Sequence, residues 1–211
     1  MNCIVEIKHL YKSIDQSSVL DNIRFFIDEK SFIVIDKKVS NEDLVLYNIM
    51  ELTHDGQKKA LSFDNKRILP YNQQSRVFLN DKIRRLSEFV MIVDKTVKEN
   101  IALSIDEDIE DKEEMIRDIL MKTELLKYKD IIISECSQDI KQMVLFSEVL
   151  LNSHKLIFID DLNDFMSVKN RKLVISLLKE IHLQGNAVIV VGDDEELKEY
   201  SQKVVEIKRK E

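Results

Sequence analysis

The stretch that decides the fold is KLIFIDD, residues 155–161. Four apolar residues follow one another without a break and end in two carboxylates, Asp160 and Asp161. An unbroken apolar run of this kind predicts a strand that is buried on both faces. Open α/β sheets bind their ligands beside the carboxyl ends of such strands. We therefore expect a functional site, if the chain has one, to include these two carboxylates.

A matching apolar run follows about thirty residues later, at residues 187–191, and ends in Gly192, Asp193 and Asp194. The stretch between the two runs, residues 168–182, has the spacing of an amphipathic helix, and Gly185 lies where such a helix should stop. The arrangement predicts a βαβ unit with parallel strands and a right-handed crossover. The residues expected on the buried face of the helix are Leu173, Leu177, Leu178 and Ile181.

The remaining pattern is that of an α/β protein. We predict strands at residues 3–10, 19–27, 31–35, 60–63, 67–69, 74–79 and 203–207, and helices at residues 44–52, 112–127 and 138–151 and after residue 194. Residues 81–93 fit a helix and a strand equally well. Acidic side chains crowd residues 106–114, where they favour the start of the helix at residues 112–127 and are expected to form a solvated face.

The composition of the chain argues against several classes of function. The chain has 211 residues, a net charge of -7 and only two cysteines, without the spacing of a zinc site. The negative charge argues against a nucleic-acid surface, and the lack of a leader or a long apolar run leads us to expect a cytoplasmic protein. Its 3 glycines and 1 proline compare with roughly fifteen and ten for average usage. A loop that surrounds phosphate with backbone amides needs glycine, so this shortage bears on function.

Several segments carry a family resemblance when they are taken in order. They are HLYKS before VLDNI, SFIVIDKKVSNEDLVLYNIMEL (31–52), TVKENIAL (96–103), SQDIKQMVLFSEVLLNSHKLIFIDD (137–161) and GNAVIVVGDDEEL (185–197). Over nearly the whole chain they resemble the nucleotide-binding domain of an ABC transporter. The resemblance implies one domain, residues 1–211, in a P-loop NTPase-like α/β fold. It would have a mixed sheet flanked by helices, N-terminal antiparallel strands and an inserted helical subdomain at about residues 82–136.

The resemblance places the phosphate-binding loop at residues 36–44, where the family's chemistry is missing. A working loop needs glycines, a lysine for the β- and γ-phosphates and a Ser or Thr for magnesium. Here Glu42 takes the lysine position and Asp43 the magnesium position. Two like charges about 4 Å apart repel by roughly 4 kcal/mol at an effective dielectric of 20, so Asp36, Glu42 and Asp43 should repel a polyphosphate. The nucleotide-binding positions implied by the family are Lys37, Lys38, Ser40, Asn41, Glu42, Asp43 and Leu44.

The other motifs are altered in the same way. Residues 136–140, CSQDI, replace the family's L-S-G-G-Q signature, so Ser137 is retained and both glycines are lost. Asp193 stands at the switch-histidine position, and Ser167 at that of the D-loop aspartate. Asp160 matches the Walker B carboxylate and is the candidate magnesium ligand. Asp161 replaces the catalytic glutamate as a shortened general base, although the two carboxylates could also simply end a buried strand.

Three functions follow from these observations. The first is a catalytically degenerate cassette subunit that docks on an integral membrane permease at the cytoplasmic face and pairs with a second copy or with an active ATPase subunit. It would bind no cofactor. The second is a divergent but active transporter ATPase that uses ATP and magnesium through Asp160 and Asp161. The third is a soluble regulatory or interaction module built on the same fold, without a transporter. Nucleic acid is not expected as a partner in any of them.

Overall fold

The computed structural model of the chain describes residues 3–14, 17–36, 60–63, 66–68, 83–85, 91–151, 155–159 and 166–205. Its strands are β1 (Cys3–Ile14), β2 (Ser17–Asp28), β3 (Phe32–Asp36), β4 (Ala60–Phe63), β5 (Lys66–Ile68), β6 (Ile83–Arg85), β7 (Leu156–Ile159), β8 (Ala187–Gly192) and β9 (Lys203–Val205). Its helices are α1 (Val97–Ala102), α2 (Lys112–Lys122), α3 (Gln138–Leu151), α4 (Val168–Leu183) and α5 (Glu195–Tyr200). These residues lie in two compact units, one within Met1–Ile83, His154–Phe158 and His182–Glu211, the other within Arg84–Ser153 and Ile159–Ile181.

The larger sheet has the strand order β6-β7-β8-β3-β9. Strand β3 runs parallel to β8, from Phe32 opposite Val188 to Asp36 opposite Gly192, and also parallel to β9. The amide of Ala187 donates to the carbonyl of Lys155 at 2.9 Å, so β7 and β8 begin at the same edge. All side chains of β7 and β8 are buried, because a strand made only of apolar residues has no polar face that could be exposed to water. The predicted buried parallel strands are confirmed.

The second sheet is antiparallel, in the order β2-β1-β4-β5. The alternation of residues 3–10 predicted a strand there, and β1 continues to Ile14 with several register shifts against β2. The strand predicted at 19–27 is likewise longer, Ser17–Asp28. Strand β4 has the predicted bounds, and β5 lies one residue earlier than predicted.

Helix α2 ends earlier than its apolar pattern suggests. The prediction of a helix to residue 127 is wrong, because Glu124 adopts a left-handed conformation with φ 57° and the amide of Leu125 turns back to the carbonyl of Leu120 at 2.8 Å. This is a Schellman ending, which normally uses glycine. The buried Thr123 side chain also donates to the carbonyl of Ile119, at 2.7 Å. Leu125 is buried after this turn, whereas Leu126 lies in a short 3₁₀ turn (Leu126–Tyr128) and is exposed.

The remaining helices agree closely with the sequence pattern. Helix α3 has the predicted bounds and α4 extends one residue beyond them. Leu177, Leu178 and Ile181 of α4 are buried as expected, but Leu173 is half-buried, while Val174 and Ile175 are buried. The predicted helix at 44–52, the predicted strand at 74–79 and residues 206–207 of the last predicted strand lie outside the described residues. Within the ambiguous segment 81–93, residues 83–85 form strand β6.

A ring cluster packs the start of β3 in the first unit. Phe32, His182 and Tyr200 meet edge to face, with ring centroids 4.9 to 5.5 Å apart. One imidazole nitrogen of His182 lies 2.7 Å from the Tyr200 hydroxyl, and the other lies 2.7 Å from the carbonyl of Lys30. The Nε2–H tautomer satisfies both contacts, because Nε2 then donates to Lys30 and Nδ1 accepts from Tyr200. A histidine with both nitrogens engaged serves packing here.

Candidate functional site

The carboxyl ends of β3 and β8 lie side by side in the first unit, because Asp36 pairs in register with Gly192. Asp193 follows Gly192 and is half-buried. The parallel register thus brings the first residue of the predicted phosphate loop next to the switch-histidine position. Both strand ends thus carry a carboxylate, Asp36 after β3 and Asp193 after β8.

Lys198 reaches this edge of the sheet from helix α5. Its ammonium lies 2.8 Å from Oδ2 of Asp36, and the two side chains are 14% and 13% exposed. Helix α5 begins at an N-cap, Asp194, whose carboxylate accepts from the amide of Leu197 at 3.2 Å. The hydrogen bond to Asp36 raises the pKa of Lys198, and a weaker one to Glu195 adds to this. Lys198 thus offsets the charge of Asp36, one of the three carboxylates expected to repel a polyphosphate.

The rest of the predicted nucleotide site falls on segments that the structure does not describe. Its predicted roles therefore stay predictions. The residues concerned are Lys37, Lys38, Ser40, Asn41, Glu42, Asp43 and Leu44 in the loop, and Asp160 and Asp161 after β7.

The retained signature serine is a helix cap. Ser137 precedes α3, and its hydroxyl accepts from the amide of Ile140 at 3.4 Å. The side chain is exposed. Serine is one of the preferred N-cap residues, because its oxygen satisfies an amide that has no partner inside the helix. The presence of Ser137 is thus explained by its role in capping α3. The other described residue of the predicted site is Asp193, which belongs to the first unit.

Asp139 stands at the position of the second signature glycine, and both of its carboxylate oxygens accept hydrogen bonds within the second unit. Its Oδ1 accepts from the backbone amide of Ser167 at 2.7 Å, and its Oδ2 accepts from Nδ2 of Asn170 at 2.9 Å. Ser167 in turn caps α4, its hydroxyl accepting from the amide of Asn170 at 3.2 Å. The carboxylate therefore joins the first turn of α3 to the start of α4. Sequence reasoning missed this contact, for which the only signal was Ser167 standing three residues before Asn170.

The segment TVKENIAL forms a local structure that explains its residue types. Thr96 and Glu99 make a capping box at the start of α1, and the hydrogen bond from the Thr96 amide lowers the pKa of Glu99. Asn100 is 1% exposed and holds the preceding loop. Its amide donates to the carbonyls of Ile92 and Thr96 at 3.1 and 2.9 Å, and its oxygen accepts from the amide of Ile92 at 2.7 Å. These residues therefore serve folding.

Comparisons with known proteins agree with the resemblance. No protein-family model matches the chain. A macrolide export ATP-binding/permease protein, MacB, of Campylobacter jejuni is 22% identical over 210 residues, which are 97% of this chain and 33% of that protein. This chain thus spans about a third of that relative's length. An uncharacterised ABC transporter ATP-binding protein of Methanocaldococcus jannaschii is 24% identical over 214 residues, covering 97% of this chain and 96% of that protein.

A solved structure has the same fold. It is a dimeric ATP-binding cassette in a post-hydrolysis state bound to ADP and Pi, with a TM-score of 0.81, 20% identity, and coverage of 97% of this chain and 94% of that one. No helix in the described part of the chain is long and apolar enough to cross a membrane. The resemblance inferred from the motifs and the predicted fold class are confirmed: the chain has the fold of an ABC transporter ATP-binding cassette, and its homologues and structural neighbours are ATP-binding cassettes of ABC transporters.

Proposed function

We propose that the chain is a catalytically degenerate cassette subunit that docks on a membrane permease and does not turn over ATP. It pairs with a second copy of itself or with an active ATPase subunit at the cytoplasmic face of the membrane. The main support for this proposal is the hydrogen bonding of Asp139. In the family, glycine at this position lets the backbone approach the γ-phosphate held by the partner subunit. Here a carboxylate fills the position and bonds to Ser167 and Asn170.

The residues at the edge of the sheet support the same proposal. Asp36 is held by Lys198, and Asp193 offers no neutral imidazole to a phosphate. In the sequence, Glu42 replaces the lysine that would reach the β- and γ-phosphates. These positions thus carry carboxylates where the family has a lysine and an imidazole for the phosphates of ATP.

The proposed partners are based on the names of the relatives and structural neighbours. The Campylobacter jejuni relative is an ATP-binding/permease protein by name, and the structural neighbour is a dimer. By analogy of fold, we expect a cassette that has lost nucleotide chemistry to assemble as such proteins do. The net charge of -7 makes nucleic acid a poor partner.

Calorimetry with Mg-ATP tests the proposal that the chain neither binds ATP tightly nor hydrolyses it. We expect no heat of binding in the micromolar range and no release of phosphate from the purified chain. Glu42→Lys should change neither result, and Glu199→Lys, on the exposed face of α5, is the control for the same change of charge. Low-micromolar binding that is abolished or sharply altered by Glu42→Lys, but not by Glu199→Lys, would show a working loop and overturn the proposal.

Purification of the tagged chain from solubilised membranes tests the partners. We expect a polytopic membrane protein to co-purify in a stoichiometric complex, together with either an untagged copy of the chain or another cassette. Recovery of the chain only as a soluble monomer, from the cells in which it is naturally expressed, would contradict the docking proposal.

A further inference from the structure

Strand β2 (Ser17–Asp28) forms one edge of the antiparallel sheet, and β1 is its one partner among the described strands. It is 12 residues long, about twice the length of an average strand. Natural proteins usually keep edge strands short or protect them with proline or lysine, because their unpaired amides and carbonyls can pair with another chain. Residues 17–28 contain neither proline nor lysine. This edge therefore lacks the usual protection against pairing.

The second half of β2 is the regular half. The register between β1 and β2 shifts several times, but the extra residues that belong to β2 lie between Ser18 and Ile23. Successive residues of an unbroken strand point to opposite faces of the sheet, so positions 24, 26 and 28 share one face. Ile27, on the other face, is fully buried, whereas Phe26 is 43% exposed. The face that carries Phe26 is thus the more accessible one.

The sequence at this end of β2 is complementary to itself. If two copies pair antiparallel with Phe26 at the centre, position 24 of each copy lies opposite position 28 of the other. These positions hold Arg24 and Asp28, and the Asp28 carboxylate makes no ion pair among the described residues. The pairing would set two pairs of opposite charge on either side of a Phe–Phe pair. Cross-strand pairs of both kinds stabilise antiparallel sheets.

The other symmetric registers lack this complementarity. Centring the pair on Arg24 or Asp21 places two like charges directly opposite each other, which destabilises a sheet. Of the symmetric registers centred on residues 21–27, the one centred on Phe26 alone sets Arg24 opposite a carboxylate. It also confines the new pairing to residues 24–28, which avoid the irregular part of β2. Charge and strand regularity therefore favour the same register.

We propose that two copies of this chain associate through the edges of β2, in the antiparallel register centred on Phe26. The antiparallel sheet of one copy then continues into that of the other. A pairing over residues 24–28 has the length of an average strand. The inference concerns a sheet edge and no nucleotide-binding position, so it does not depend on the loss of ATP turnover.

Sedimentation of the full-length chain at increasing concentration tests the association, and we expect a concentration-dependent dimer. Arg24→Asp and Asp28→Arg should each raise the dimer dissociation constant about tenfold or more, because each variant turns both charge pairs into like pairs. Lys172→Asp and Glu199→Arg make the same changes of charge on exposed side chains outside β2. These matched controls should leave the dissociation constant unchanged.

Mixing the two charge variants tests the register itself. In a heterodimer of the Arg24→Asp chain with the Asp28→Arg chain, the new carboxylate lies opposite the new guanidinium, and the native Asp28 lies opposite the native Arg24. An equimolar mixture should therefore dimerise about as tightly as the native chain, although each variant alone does not. Phe26→Lys, which places two ammonium groups at the centre, should weaken the dimer about tenfold or more. Leu183→Lys, at an exposed apolar residue outside β2, is its control.

Three outcomes would overturn the inference. They are a chain that stays monomeric at every concentration, a dimer that the charge variants leave intact, and a mixture of the two charge variants that does not recover dimerisation. Circular dichroism checks that each variant is folded, and if Phe26→Lys does not fold, the charge variants and their mixture decide the matter. None of these results changes the expected calorimetry with Mg-ATP or the expected recovery with a membrane protein, so the proposed function is tested separately.

Discussion

Asn100 holds the loop before α1 through four hydrogen-bonding contacts, to Ile92 at both its amide and carbonyl and to the carbonyls of Lys95 and Thr96. Asn100→Ala would leave the amide of Ile92 without this acceptor, whereas the three carbonyls keep their backbone donors. We expect this to lower the unfolding free energy by about 1–2 kcal/mol. Urea denaturation checks this value. Glu107→Ala, on an exposed side chain of the following segment, should change the stability by less than about 0.5 kcal/mol. A loss for Asn100→Ala no larger than that control would show that the contacts are dispensable.

The ion pair of Lys198 and Asp36 is a second test at the residue scale. Breaking a buried pair costs about 3–5 kcal/mol and an exposed pair up to about 1, so Lys198→Met at this partly buried site should cost roughly 2. The double variant Asp36→Asn/Lys198→Met should recover much of that loss, because no buried charge is left unpaired. Glu195, which also pairs with Lys198, is 74% exposed. Thermal or urea denaturation of the double-mutant cycle measures the coupling energy, and a coupling near zero would contradict the ion pair.

The pH dependence of this pair has a definite sign. The pKa of Lys198 is raised in the folded chain, so the contribution of the pair is fully present below the ordinary lysine pKa of about 10.4. It is lost as the pH rises through the higher folded-state pKa. The stability difference between the wild-type chain and Lys198→Met should therefore be constant from neutral pH to about pH 10 and should shrink above it.

Lys30 shows the effect of a chain with few glycines. It occupies the turn between β2 and β3 with φ 59°, a left-handed conformation that costs a residue with a Cβ about 1–2 kcal/mol. Lys30→Gly removes that strain but gives the unfolded chain more freedom, so we expect a net gain of roughly 0.5–1 kcal/mol in denaturation experiments. Lys30→Ala, which keeps the Cβ, should give no gain. Equal effects of the two variants would argue against backbone strain.

At the scale of the elements, Asp139 connects two helices. Asp139→Ala would leave the amide of Ser167 and the side-chain amide of Asn170 without their acceptor and should lower the unfolding free energy by about 1–3 kcal/mol. Hydrogen exchange should show the loss of protection in the first turn of α4 and not at its C-terminal end. Gln138→Ala, at the neighbouring exposed position, is the control and should leave α4 unchanged. Uniform loss of protection along α4 would contradict a local role.

Elements were predictable wherever the hydrophobic period was unambiguous. The bounds of α3 and β4 and the buried strands β7 and β8 follow from that period. The end of α2 does not, because the left-handed Glu124 carries no glycine signal and the apolar pattern continues through Leu125 and Leu126. A tertiary contact also favours this turn, since Glu124 forms an ion pair with Lys169 of α4.

Within the candidate site, the sequence predicted that Asp36 and Asp193 each follow a buried strand, but it predicted no contact of either residue. The register of β3 and β8 brings these two strand ends together. Spacing could not show that Lys198, five residues beyond Asp193, neutralises Asp36. It also could not show that Asp139 accepts hydrogen bonds from α4, because such contacts depend on side-chain reach between elements that are distant in sequence.

For the whole molecule, linkage gives a simple test of nucleotide binding. A ligand present at 1,000 times its dissociation constant stabilises a protein by about 4 kcal/mol, which a 211-residue chain would report as a shift in melting temperature of roughly 10 °C. We expect millimolar Mg-ATP to give no shift beyond that of Mg-inorganic triphosphate. A nucleotide-specific shift of several degrees would contradict the proposed degeneracy.

The carboxylate at position 139 has a consequence for attempts to engineer this chain. Rebuilding a signature motif would begin with glycine at that position, and the change would withdraw the acceptor on which the first turn of α4 depends. A gain-of-function design must therefore supply a new acceptor for Ser167 and Asn170 at the same time. Conversion to a nucleotide-handling protein is thus a coupled redesign of two helices, and loop replacements tried one by one would first produce less stable proteins.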